Sequence, residues 1–274
     1  MRRALVGACA LAVGSGPIGV FLMLRRMSLT GDAMAHAILP GAAIGYLVSG
    51  LSLGAMTVGG IAAGLTVALL SGLVARVTPL REDASMAAFY LISLALGVTI
   101  VSLRGSNVDL LHVLFGSVLA LDDATLLLLA GVASLSTLVL ALILRPLILD
   151  CVDPGFLRSV SRAGLPVHLI FVTLVVLNLV AGFHALGTLL SVGLMMLPAV
   201  SARFWSEDIT AMMALSVLFG MLASAAGLLA SYHLGLPSGP AIILAAGIIC
   251  CLSVLAGRRD GLLLRLLPAR HRTA

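Results

Sequence analysis

The sequence predicts an all-α polytopic membrane protein, and three observations predict it. Of the 274 residues, 61% are hydrophobic and only 10% charged, whereas a soluble chain is roughly half apolar and a quarter charged. The mean hydropathy is +1.21. The apolar residues also run unbroken for stretches near the roughly 20 residues that a helix needs to cross the hydrocarbon. A water-soluble globule is excluded, and a closed barrel would show alternation instead of continuous runs.

The first run, Ala4 to Leu24, follows Arg2 and Arg3 as a secretory leader would. It is longer than a leader's apolar core and ends in Leu24-Arg25-Arg26, with no small-residue cleavage site, so it reads as a membrane helix. Ala37 to Gly54 and Ala55 to Ala75 come next. Their Gly41-x-x-x-Gly45 and Gly60-x-x-x-Gly64 spacings let helix backbones approach closely in lipid. Met86 to Ser102 and Ala124 to Leu144 follow by length and hydropathy. The stretch Val167 to Ala202 is too long for one crossing, and a Phe-His-Ala step lies between Gly182 and Gly187. It divides into Val167 to Gly182 and Ala185 to Ala202. Ile209 to Tyr232 and Gly239 to Ala256 complete a bundle of eight to nine transmembrane helices. No linker interrupts it, so residues 1–274 are expected to form a single membrane domain with a basic tail over 257–274.

All 16 basic residues are arginine and none is lysine. This excludes a P-loop lysine and lysine Schiff-base chemistry within this chain. The net charge of +5 sits between apolar runs, where it reads as a topology signal and not as a nucleic-acid surface. With the C-terminus inside, 13 arginines, from Arg25 to Arg272, fall on the cytoplasmic side and only Arg2, Arg3 and Arg104 fall outside. The split of Val167 to Ala202 is needed for that bias. A shallow or re-entrant first segment would remove the conflict at Arg2 and Arg3. Cys9, Cys151, Cys250 and Cys251 show no C-x-x-C spacing and read as small hydrophobes.

Ionisable groups at membrane depth are costly unless they face a cavity or a partner, so they point to function. The densest group lies between Arg25 and Gly41, where Asp32 and His36 are four apart and share one face of a helix. Two readings stand there: a carboxylate and imidazole that ligate a divalent transition metal, or a hydrogen-bonded structural couple. His233 precedes a Leu236-Pro237-Ser238-Gly239-Pro240 break leading to the last helix. It is either beside a cavity-lining irregular backbone or in a plain extracytoplasmic turn. His112 and His184 read as outer-face residues, and His168 as an interfacial one. The inner-face stretch Asp150 to Leu165 has Asp153 as a helix cap, Pro154 in the first turn and Gly164 as the stop. It is a docking helix or a solvated loop.

The Leu24 to Gly41 block, the Val108 to Gly116 segment, the Asp153-Pro154 to Gly164 loop, the Ala185 to Arg203 run and Leu236 to Pro240 occur in one order. In that order they resemble the membrane permeases of metal-type ABC importers, which handle zinc, manganese or iron. The resemblance covers nearly the whole chain. It implies a homodimeric permease of the bacterial cytoplasmic (inner) membrane, multi-pass with a cytoplasmic C-terminus and in contact with lipid. The permease would not itself be an enzyme and would hold no permanent cofactor. A separate cytoplasmic P-loop ATPase would power it and an extracytoplasmic metal-binding protein would feed it; no nucleic acid is implied. By the same resemblance Asp32, His36 and His233 are the metal ligands. They would meet only if the chain around Gly31 to Gly41 is broken or re-entrant. Asp153, Pro154, Arg158 and Gly164 belong to the helix that couples to the ATPase. Carboxylate and imidazole suit zinc and manganese, with zinc favoured and manganese next. An ATP-independent secondary metal transporter or channel is the alternative, and it would place acidic residues inside its helices. A His-ligated haem anchor would need facing intrahelical His pairs, and a membrane protease would need H-E-x-x-H or G-x-S-x-G.

Overall fold

The computed structural model describes residues 1–50, 52–80, 82–103, 121–153, 156, 164–259 and 261–263. Their regular structure is helical: α1 (Arg2–Leu24), α2 (Ser28–Ala37), α3 (Leu39–Ser49), α4 (Leu53–Val77), α5 (Glu82–Leu103), α6 (Asp123–Val152), α7 (Gly164–Leu186), α8 (Thr188–Arg203), α9 (Ile209–Leu234) and α10 (Ser238–Ala256). Six of these, α1, α4, α6, α7, α9 and α10, are long and apolar enough to cross a membrane. The shorter apolar helices are α8 and the Ala84–Ile100 part of α5. The described helices thus hold six candidate crossings, with α2, α3, α5 and α8 beside them.

Several boundaries differ from the sequence expectation, among them the run expected over Ala37 to Gly54, which is formed as α3 (Leu39–Ser49) with Gly54 already inside α4. The stretch from 167 to 202 does divide, but at Gly187, whose φ of 89° only glycine adopts freely. His184 therefore lies in the last turn of α7 and not in the break. Helix α6 continues past Arg145 and Pro146 to Val152, because a membrane helix tolerates the one hydrogen bond that a proline removes. At its start Asp122 accepts from the Thr125 backbone N–H at 3.0 Å. The Thr125 side chain and that N–H hold the Asp122 carboxyl below its ordinary range.

Helix α1 is a full-length buried helix and not a shallow segment. It buries Leu11, Ile18 and Phe21 among α6, α7, α8 and α9, and Arg3 pairs with Asp123 at 3.0 Å on the far end from Arg25. Both glycine stripes are used. Gly41 and Gly45 lie against the α4 backbone at Gly59 and Ala55, while Gly60 and Gly64 face Ile38 of the α2–α3 joint and Val180 and Val176 of α7. Inside the bundle the Asn178 amide donates to Ser136 Oγ at 2.6 Å and to Leu174 O at 2.9 Å, tying α7 to α6.

The α1–α2 turn places everything that follows. Arg26 N–H donates to Met23 O at 3.0 Å and Met27 N–H to Leu22 O at 2.9 Å, which is the hydrogen-bond pattern of a Schellman cap. Its left-handed position holds Arg26, with φ 58°, and no glycine. A side chain there costs about 1–2 kcal/mol, partly offset by glycine's greater unfolded-state entropy. Arg26→Gly is thus expected to stabilise the protein by about 0.5 kcal/mol, read as a raised thermal midpoint in detergent. A lowered midpoint would contradict the assigned cap.

Candidate metal site on the broken second pass

The ten residues of α2 are too short and too polar to register as a membrane span, and tertiary packing holds them. Thr30, Gly31, Ala33, Met34, Ala35 and Ala37 are buried, with Met195 of α8 seated on Gly31, a position where a Cβ would lie 3.0 Å from Met195 Cε. Pro40 lacks an N–H and breaks the ladder between α2 and α3. At that break Ser93 Oγ of α5 donates to the Ala37 carbonyl at 3.0 Å. The helix is therefore interrupted at Ile38, whose own backbone stays right-handed helical at φ −73° and ψ −29°, and the interruption does not bring His233 to Asp32 and His36.

The unburied face of α2 carries Asp32 and His36. Their side chains are 63% and 31% exposed, with His36 Nε2 3.8 Å from Asp32 Oδ1. The Tyr90 ring of α5 stands 6.3 Å from the imidazole, centroid to centroid. His36 lies eight residues beyond Ser28, about 12 Å along the helix. The pair thus lies in the second and third turns of α2, with two metal-compatible donors side by side.

His233 stands apart from the pair. It is exposed in the last turn of α9, its ring edge-on to Tyr232 at 5.3 Å. The tight hairpin that follows has Gly235 at φ 65° and Ser231 Oγ donating to Leu236 O at 2.7 Å. That hairpin is at the same end of the bundle as Arg3, opposite the end where α2 begins. Among the described residues no three His, Cys, Asp or Glu groups come together. At the α6 end Asp153 Oδ1 accepts from Phe156 N–H at 2.9 Å. Gly164 is the first described residue of α7. Pro154, Arg158 and the Val108 to Gly116 segment with His112 lie outside the described residues.

Sequence reasoning missed Arg25. Read as one topology charge among many, its side chain is only 7% exposed. It pairs with Asp150 of α6, donates from Nη1 to His168 Nδ1 of α7 at 3.1 Å and lies 4.9 Å above the Phe171 ring. Its signal was the boundary placement of Asp150 and His168, which hydropathy does not distinguish from solvated ends.

A bundle of apolar helices with an interrupted helix that carries paired polar donors on its open face fits a transport protein. The chain belongs to the ABC 3 transport family, whose model matches residues 1–257. It is 32% identical over 253 residues to the manganese import system permease protein ScaB of Streptococcus parasanguinis, covering 92% of this chain and 89% of that one. It is 30% identical over 266 residues to the manganese transport system membrane protein MntC of Halalkalibacterium halodurans, covering 97% and 90%. Among solved structures it is similar to PsaBC from Streptococcus pneumoniae in complex with Fab, with a TM-score of 0.84 at 28% identity over 94% of this chain and 92% of that chain. An inward-facing metal-chelate type ABC transporter shares the fold alone, with a TM-score of 0.68 at 16% identity over 92% and 84%.

Proposed function

We propose that the chain is the membrane permease of an ATP-driven importer that brings manganese into a bacterial cell. The observation that carries this reading is the Asp32–His36 pair, held side by side on a buried, broken helix. A carboxylate and an imidazole without a thiolate suit manganese or zinc. The similarity to the manganese permeases ScaB and MntC supports manganese over the zinc that the residues alone favoured. Two donors make an incomplete site, and incompleteness suits a pathway in which binding must permit release. His233, at the other end, is the proposed first contact for metal arriving from an extracytoplasmic binding protein.

The arginine-rich end and the C-terminus face the cytoplasm in this reading. There a separate P-loop ATPase docks on the α6–α7 connection, at Asp153, Pro154, Arg158 and Gly164. Closure of the ATPase reorients the bundle, and a second copy of the chain completes the pathway. The test is uptake of radioactive manganese into proteoliposomes holding the permease, its ATPase and its binding protein. Accumulation that requires ATP hydrolysis, and that zinc competes with weakly, is expected. Uptake that persists without hydrolysis would establish a secondary transporter or channel instead.

A further inference from the structure

We propose that Arg25 is a positioning residue for transport: a joint that carries movement of the α6–α7 connection into α2. Three elements meet on one guanidinium. Asp150 lies two residues before the end of α6, and His168 lies in the second turn of α7, so the two partners of Arg25 are the two stems of the connection between those helices. Phe171 underlies the guanidinium, and Phe21 of α1 meets the Phe171 ring edge-on at 6.3 Å. The backbone of Arg25 is the cap of α1, and α2 begins three residues later, through the rigidly hydrogen-bonded turn at Arg26 and Met27.

A displacement of either stem therefore reaches the base of the helix that bears Asp32 and His36. A buried pair of this kind is a poor way to gain stability, since apolar residues of equal volume do as well. The planar guanidinium fork holds two acceptors in fixed directions at once, which an ammonium does not. That geometry suits transmission of position better than it suits adhesion.

The inference rests on the reading that the ATPase docks on the α6–α7 connection. The test reconstitutes the whole complex with Arg25→Lys, Asp150→Asn or His168→Leu. It reads manganese uptake and ATP hydrolysis stimulated by the loaded binding protein in the same vesicles. His168→Leu keeps the buried ion pair and removes only the Nη1 acceptor, and gel filtration in detergent establishes which variants assemble before transport is read. Expected is hydrolysis within about twofold of wild type, with metal delivered per ATP reduced about tenfold. Uptake and hydrolysis falling in equal proportion, or an unchanged ratio in His168→Leu, would overturn the joint. A wild-type complex that shows no ATP-dependent uptake would instead refute the importer reading itself.

Discussion

Replacing His36 with alanine is expected to reduce manganese uptake by at least about tenfold while the protein still folds and joins its ATPase. The expectation follows from how little else is present. Asp32 and His36 are the two metal-compatible donors on the open face of α2, and among the described residues no third His, Cys, Asp or Glu joins them. Removing one leaves a single ligand, which cannot hold a divalent ion against hydration. Asp32→Asn should act similarly, because it keeps the shape but replaces one ligating oxygen with an NH2 donor and removes the charge that offsets the cation. Both side chains are substantially exposed, and α2 is held by its other face through Met34, Ala35 and Ala37. Such substitutions usually change stability by no more than about 0.5 kcal/mol. Tyr90→Phe, which preserves the ring beside His36, serves as the control and should transport normally. Wild-type uptake by both the His36 and Asp32 variants, at equal protein in the membrane, would remove the proposed ligands.

The parts of this structure that were legible from sequence are those that hydropathy and local geometry decide. The apolar runs mark the passes because lipid imposes one length on all of them, and the i,i+4 spacing of Asp32 and His36 alone places them on one helix face. The break in the run from 167 to 202 followed from length and from the arginine bias, although its seat at Gly187 depends on a backbone angle that hydropathy does not see. Less legible was α2, whose Ser28, Thr30 and Asp32 lower its hydropathy although helices α5, α7 and α8 pack around it. The extension of α6 to Val152 was hidden by Arg145 and Pro146, which usually end a soluble helix but not one braced by lipid and neighbours. Arg25 was invisible for a deeper reason. A boundary arginine looks the same in sequence whether it is solvated or buried, and its burial exists only because the ends of α1, α6 and α7 converge.

Gly41→Val is expected to destabilise the bundle by about 3 kcal/mol, at the upper end of what overpacking costs, and to abolish uptake with it. A Cβ at Gly41 would lie 2.6 Å from the Gly59 carbonyl carbon and 2.7 Å from Ala63 Cβ. The first obstacle is backbone, which no change of rotamer relieves. At the next contact along the crossing, a Cβ on Gly45 would meet the Ala55 carbonyl carbon at 2.7 Å and Met56 Cα at 2.8 Å, so α3 cannot tilt away at one contact without losing the other. Helices that associate in lipid rely on this close approach, because burial of apolar surface drives nothing there. The effect reaches the site because α3 continues from α2 across the Pro40 break. Pushing α3 off α4 shifts the α2–α3 joint, where Ser93 holds the Ala37 carbonyl and Ile38 packs over Gly60 and Gly64. Gly72→Ala, also on α4 but with nothing within 4 Å of its added Cβ, should be neutral or slightly stabilising, since alanine is the better helix former by about 1 kcal/mol. Thermal midpoints in detergent and uptake rates for the two variants decide the matter. Equal behaviour would mean that the α3–α4 crossing is not the rigid contact on which the position of Asp32 and His36 depends.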